Sequence, residues 1–236
     1  MKNISILLIC ISISCAMKAQ GIIGAWETFE TSEEEDRLRS VAIFADGYHA
    51  VTTYNTTTGE FSKTYGGSWK LEGDLMTEKI EFDTATPERV GDEVSYKVAL
   101  TDAGLEITDK DIKFSRIDAG EPGALQGAWL MSGRVRDGKT QQRDTSRPRK
   151  TMKILSGTRF QWIAYNTETK EFMGSGGGTY TTVEGAYTEN IEFFSRDDSK
   201  AGLSLEFTYE LVDGNWHHSG LSSKGDPIHE IWSIRE

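Results

Sequence analysis

The chain has 236 residues, with 37 acidic against 26 basic side chains and a formal net charge of −11. An acidic balance of this size argues against nucleic acid and anionic membranes as general partners. Its two cysteines, Cys10 and Cys15, stand near the N-terminus, so cysteine hydrolases and thiolate metal sites are excluded from the rest of the chain.

In chain order, Met1-Lys2-Asn3 precedes an aliphatic and small-residue run from Ile4 to Ala16, followed by Met17-Lys18-Ala19-Gln20. A short basic start, an apolar stretch too short to cross a bilayer and a small residue at the exit describe a secretory signal peptide over 1–19. Lipidation of Cys15 is the weaker alternative, because Ser12 stands where an aliphatic residue is wanted. The protein is therefore expected to be exported, periplasmic or extracellular, and no later segment is apolar enough to span a membrane. Removing Lys2 and Lys18 takes the formal charge to −13.

The remainder reads as two copies of one unit, over 20–118 and 124–236, joined by a turn-rich linker at 119–123. Gly24-Ala25-Trp26 recurs as Gly127-Ala128-Trp129. Tyr54-Asn55-Thr56-Thr57-Thr58-Gly59-Glu60-Phe61 recurs as Tyr165-Asn166-Thr167-Glu168-Thr169-Lys170-Glu171-Phe172, at an offset of 111. Gly66-Gly67 and Glu78-Lys79-Ile80-Glu81-Phe82 return at the same offset. Within each copy apolar residues alternate with polar ones, as in Val94, Tyr96, Val98 and Leu100 and again in Leu205, Phe207, Tyr209 and Leu211. Period two means strands with one buried face. Turns every ten to twelve residues give about eight strands per copy, which predicts an all-β protein of two small antiparallel up-and-down barrels.

The Gly-x-Trp opening each copy's first strand, with eight short strands after it, resembles the lipocalin and lipocalin-like barrels. That resemblance implies a ligand-binding fold. It also implies a Trp that closes the barrel floor under a basic residue of the last strand, here Arg116 and Arg235. The exit sequence Ala19-Gln20 with tandem compact domains is similar to secreted proteins of Bacteroidetes-type bacteria. Asp83-Thr84-Ala85 likewise resembles the O-glycosylation acceptor of such bacteria.

Strand parity selects the candidate site residues. Phe160 and Trp162 share a face, with Phe172, Tyr180 and the run Leu205 to Leu211 placed likewise. The constant offset pairs Leu105 with Trp216 and Ile107 with His218, so a histidine replaces an aliphatic residue on the inner face. Glu189 shares its face with Ile191 and Phe193. Trp162, Tyr165, Tyr180, Trp216 and His218 are expected to wall a pocket for an apolar guest or the C–H face of a sugar. The alternative is a filled core holding one hydrogen-bonded histidine. Glu189 and His218 would form an acid–base pair if they met across one cavity. His217 and His218 point to opposite faces of one strand and cannot share an ion, so no metal and no cofactor is expected. The segment 134–153 carries Arg134, Arg136, Lys139, Arg143, Arg147, Arg149, Lys150 and Lys153 against two aspartates. It reads as a loop eight residues longer than its counterpart, a lid whose Arg143, Arg147 and Arg149 would hold an anionic ligand. The corresponding loop of the first copy holds Glu30, Glu33, Glu34, Glu35 and Asp36.

These readings favour a secreted, non-catalytic binding protein with a small molecule or saccharide in the second barrel. The alternatives are an interaction module docking another secreted protein or an anionic glycan through its charged loops, and a carbohydrate-active lyase, isomerase or hydrolase using Glu189 and His218.

Overall fold

The computed structural model describes residues 21–31, 37–101, 104–120 and 123–236. The expected signal peptide, most of the acidic loop of the first copy and part of the linker lie outside the described residues.

Strands β1 (Gly24–Thr31), β2 (Arg37–Ala45), β3 (Tyr48–Asn55), β4 (Phe61–Glu72), β5 (Leu75–Asp83), β6 (Glu93–Leu100), β7 (Gly104–Ile107) and β8 (Ile112–Asp118) each pair antiparallel with the next. Pairing of β8 with β1 closes the ring. The second ring repeats it with β9 (Gly127–Arg136), β11 (Arg149–Leu155), β12 (Arg159–Asn166), β13 (Phe172–Val183), β14 (Ala186–Phe194), β15 (Ser204–Val212), β16 (Asn215–Leu221) and β17 (Pro227–Ile234), closed by β17 on β9. The protein is thus all-β, with two tandem, closed, eight-stranded antiparallel barrels, as the period-two patterning and the lipocalin-like resemblance predict. Single 3₁₀ turns after β5 and β14, Pro87–Arg89 and Asp198–Lys200, preserve the offset of 111. One strand breaks the symmetry: β10 (Lys139–Gln142) pairs with the far end of β9 outside the second ring. The basic segment is therefore partly a hairpin and partly strand β11, not one long loop.

The repeated motifs have mechanical reasons. Trp26 donates its indole N–H to the Ile22 carbonyl at 2.9 Å, and Trp129 donates to Leu125 at 2.8 Å, so each closes its barrel in the same way. Gly66-Gly67 and Gly177-Gly178 sit at β-bulges between β4 and β5 and between β13 and β14. A Cβ on Gly67 or Gly178 would lie 2.0 Å from the carbonyl oxygen of Lys79 or Asn190, so glycine is required. The extra residue at each bulge reverses parity beyond it. Phe82 and Phe193 accordingly leave the face shared by Glu78 and Glu189 and turn outward. A second bulge at Ala164/Tyr165 does the same to Phe172.

Those outward aromatic residues join the barrels. One apolar cluster lies inside each barrel, and a third, containing Val41, Ile43, Tyr54, Phe82, Met152, Ile154, Ile163, Tyr165 and Phe193, lies between them. Its contacts are reciprocal. The Tyr54 hydroxyl donates to Glu192, and the Tyr165 hydroxyl to Glu81 at 2.5 Å. Tyr54 stacks on Phe193 and Tyr165 tilts on Phe82, while Phe61 and Phe172 stack on each other with rings 5° from parallel. Each of these equivalent residues is separated by 111, so the interface is a pseudo-two-fold one, the same patch used twice. Arginines neutralise both glutamates: Arg159 and Arg39 on Glu192, and Arg235 on Glu81 at 2.6 Å.

This placement corrects half of the expected floor. Arg116 packs over Trp26, with its guanidinium carbon 4.0 Å from the ring, and bonds the Gly21 carbonyl. Arg235 instead stacks on Tyr48 and pairs with Glu81 across the interface. The last strand of the second barrel runs toward the first barrel, whose carboxylate draws the guanidinium away from Trp129.

Candidate functional site

The two interiors differ. Inside the first barrel, Ala42, Val51, Tyr65, Met76, Tyr96, Val98, Leu105, Ile107 and Phe114 leave about 10 Å³, barely room for one water. The second barrel holds a cavity of about 290 Å³, near the lower end of ligand pockets and roughly twice the volume that accommodates benzene in an apolar protein cavity. Trp162, Ile191, Phe194, Leu205, Phe207, Ile228 and Trp232 supply its apolar wall, and Lys153, Glu189, His218 and Glu230 its charged and titratable groups.

Cross-strand pairs explain the vacancy. In the first barrel Val51 on β3 faces Tyr65 on β4; in the second the same register pairs Trp162 with Gly176. The glycine lets the Trp162 ring lie over its backbone, where a Cβ would come within 2.6 Å of the indole nitrogen. Trp162 then meets Phe194 edge-on at 5.4 Å. The space that Tyr65 fills in one barrel stays open in the other.

At the inner end, Lys153 occupies the position of Ala42 and is 4% exposed. Its ammonium bonds Glu189 Oε1 at 2.6 Å, and the Tyr187 hydroxyl donates to the same oxygen at 2.9 Å. The rings of Tyr187, Trp216, Trp232 and Phe207 surround the ammonium at 5.0–6.0 Å, and their π faces attract the desolvated cation. The structure thus moves Lys153 from the expected basic lid into the barrel interior, because period two on β11 points it inward with Leu155.

Nearer the opening stand His218 and Glu230, paired across β16 and β17 where the first barrel has Ile107 opposite Ile112. His218 Nδ1 lies 3.3 Å from Glu230 Oε2. Burial would raise the Glu230 carboxyl, but the bond from His218 and the Lys153 charge hold it below its ordinary range. Burial, then Lys153, hold the His218 pKa below 6.5. A neutral imidazole beside a carboxylate must carry its proton on Nδ1. Nε2 is then an acceptor, buried and without a hydrogen-bond partner. Phe207 at 4.2 Å, with Trp216 and Tyr187 edge-on, fixes the ring.

Arginines gather beside this opening. Arg134 lies opposite Glu230 across β9 and β17. Burial and the neighbouring Arg149 and Arg134 charges hold the Arg143 guanidinium below its usual range, with Glu230 opposing them. Arg147 stands apart, exposed and 3.5 Å from Asp144.

Of the expected pocket residues, Trp162 and His218 line the cavity. Trp216 is fully buried behind Lys153. Tyr180 donates to the Ser156 carbonyl at 2.6 Å, at the position where Trp69 bonds the equivalent Ala45 carbonyl of the first barrel. Tyr165 lies at the barrel–barrel interface, because three residues along a strand reverse the face shown by Trp162. Glu189 and His218 do line one cavity, but each has its own partner and no hydrogen bond joins them. Lys153 and Glu230 are the members that sequence reading missed; the register of the last hairpin, which sets Glu230 opposite His218, would have found the second. His217 pairs with His229 at 3.1 Å on the outer face. Among the described residues no group of three or more His, Cys, Asp or Glu is placed to hold a metal ion, and no helix is long and apolar enough to cross a membrane. The Thr84 hydroxyl of the glycosylation-like triplet is tied to both backbone groups of Thr64.

Residues 124–234, the span of the second barrel, match the model of DUF4488, a domain of unknown function. No curated protein matches the chain in sequence. Among solved structures it is similar to the Cpx pathway activator NlpE from Escherichia coli, at 12% identity and a TM-score of 0.26, over 90% of this chain and 92% of that one.

Proposed function

We propose that this is an exported, non-catalytic binding protein whose second barrel holds one small molecule, the first barrel serving as its scaffold. The barrel architecture is compatible with a ligand-binding role, and the reading rests on one observation: the same duplicated frame is filled in one copy and hollow in the other. Apolar walls with a few fixed polar groups are the usual make-up of a small-molecule site. The partner of His218 is Glu230, whose carboxylate orients the imidazole, and this favours recognition over the alternative acid–base pairing with Glu189. Native mass spectrometry of protein purified from the periplasm of an expressing bacterium tests the proposal. The expected result is a retained small molecule, released on activation and absent from Ile228→Trp, which puts an indole into the opening. A clean mass, unchanged after incubation with a small-metabolite extract, would sink it.

The cluster of Arg134, Arg143 and Arg149 supports a second reading, docking of another secreted protein or an anionic glycan at the rim. Its mark would be association that weakens with salt and with R143E/R149E; indifference to both would remove it.

A further inference from the structure

Resting on the binding reading, we infer that the second barrel takes a small aromatic carboxylate, its ring inside the cavity and its carboxylate on the arginines of the opening. Three elements bring those arginines to one place. Arg134 on β9 lies opposite the cavity-lining Glu230 of β17, on the same face of the sheet. Period two on β11 sets Arg149 in line with Thr151 and Lys153, both of which line the cavity. Arg143, just past β10, donates from Nη1 to the Met131 sulfur at 2.7 Å, and Met131 lies opposite Trp232 of the cavity wall. After burial, the Arg149 and Arg134 charges hold the Arg143 guanidinium below its usual range, so the three share one field.

None of the three forms an ion pair among the described residues. Arg134 donates to the Gln141 amide oxygen at 2.8 Å and Arg143 to a thioether, while Glu230 is engaged by His218. Guanidinium groups left with neutral partners are matched by a carboxylate, whose two oxygens fit their fork of donors. The cations also go with the vacancy. Leu38 stands in the filled barrel where Arg149 stands in the hollow one, and among the described residues only the second barrel has the β10 hairpin. Trp162, Phe194, Phe207 and Trp232 line the space inside with rings suited to an aromatic guest. The Lys153–Glu189 pair at the inner end limits the depth of that space, since a long acyl chain would run onto buried charges. A ring on a short carboxylate arm fills the apolar section and ends at the arginines.

Titration of the whole protein with naphthylacetate and with its amide, followed by ligand-observed NMR, tests the inference. The molecules have nearly the same shape, but only the first is charged. Naphthylacetate is expected to bind at least about tenfold more tightly. In R143A/R149A it should fall to the affinity of the amide, whose own binding stays unchanged. Equal binding of the two by the unaltered protein would overturn the carboxylate inference and leave the cavity's binding role standing. Binding of neither would overturn the aromatic class, with the mass measurement above deciding the binding role separately. Naphthylacetate binding that survives Ile228→Trp would overturn the seating in the cavity in favour of docking at the rim. Decanoate binding more tightly than naphthylacetate would overturn the ring in favour of an acyl chain.

Discussion

The two barrels share strand order, bulges, floor tryptophans and 3₁₀ turns, yet one interior is closed and the other open. The difference is carried by few positions. Val51 and Tyr65 become Trp162 and Gly176, Ala42 becomes Lys153, Met76 becomes Tyr187, and the Ile107–Ile112 pair becomes His218–Glu230. Each exchange on its own is unfavourable in a core, since it leaves space or buries a polar group. Together they give an apolar wall, a neutralised floor and a buried His218–Glu230 pair. Local rules broken in concert at one place, on a frame that keeps them elsewhere, are what the proposed binding role would require.

Both barrels bury a glutamate at the same position, and here the comparison can be broken most sharply. Glu78 is held by the Tyr96 hydroxyl at 2.5 Å with His49 beside it, both neutral partners, whereas Glu189 depends on the Lys153 charge. Lys153→Met should therefore destabilise the protein by about 3–5 kcal/mol, the usual effect of stranding one member of a buried ion pair. K153M/E189Q should recover most of that loss. Glu78→Gln, which removes a charge but strands none, should cost about 1–2 kcal/mol. Denaturant titration checks all three; equal losses for Lys153→Met and Glu78→Gln would show that the two floors are not electrostatically different.

The interface ranks next, and it is where the barrels are alike. Glu192→Ala leaves Arg159, 3% exposed at its side chain, and the Tyr54 hydroxyl without their acceptor. A loss of about 2–3 kcal/mol is expected. The pseudo-two-fold predicts a similar loss for Glu81→Ala, which strands Arg235 and Tyr165. A loss at only one of the two would mean that the joint is not energetically symmetric.

Strand count, closure and the pairing of Ile107 with His218 were legible in the sequence because period two and a constant offset survive without coordinates. The interface was not. Its residues, Tyr54, Phe61, Phe82 and their partners, are the best-repeated part of the chain, but a hairpin explains Tyr-Asn-Thr-x-Thr-x-Glu-Phe locally. The bulges that turn Phe82, Phe172 and Phe193 outward also add one residue without altering the apolar pattern. A repeated aromatic residue beyond a Gly-Gly pair was the available signal. Trp162 and His218 were placed at the cavity because no bulge lies between them and their strand neighbours. Lys153 was hidden within a run of surface cations, and Tyr165 was misplaced by treating a sequence neighbour of Trp162 as sharing its face.

Exchanging residues between the copies sharpens the comparison further. H218I/E230I should stabilise the protein by roughly 1–2 kcal/mol, since well-packed aliphatic groups commonly match or exceed a buried polar pair, while weakening retention of the small molecule proposed for the cavity. Stability gained together with ligand retention lost would show that the dyad is kept for recognition. A variant less stable than the parent would show instead that the pair holds the barrel together.

The smallest effect concerns pH, and it assigns a share to each barrel. His49 and His218 are both buried with pKa values below 6.5, chiefly through burial. Glu78 and Glu81 act on His49 in the opposite sense; Glu189 and Glu230 do so on His218, while Lys153 reinforces its shift. Below pH 6.5 the unfolded chain takes up protons at these two positions and the folded chain does not, so stability falls as pH falls. Each histidine contributes a slope approaching ~1.4 kcal/mol per pH unit until its folded pKa is reached. Between pH 6.5 and about 5 the lowered carboxyls of Glu192 and Glu230 remain ionised in the folded protein and add little. His49→Phe, the residue that the second copy carries as Phe160, should remove the first barrel's share of the slope. H218I/E230I should remove the His218 part of the second's, leaving the contribution of the more exposed His229, whose pKa burial and His217 also lower. If the slopes add, the two interiors titrate independently. If His49→Phe leaves the slope untouched, His49 takes up a proton in the folded state, and the Glu78 carboxylate beside it outweighs its burial.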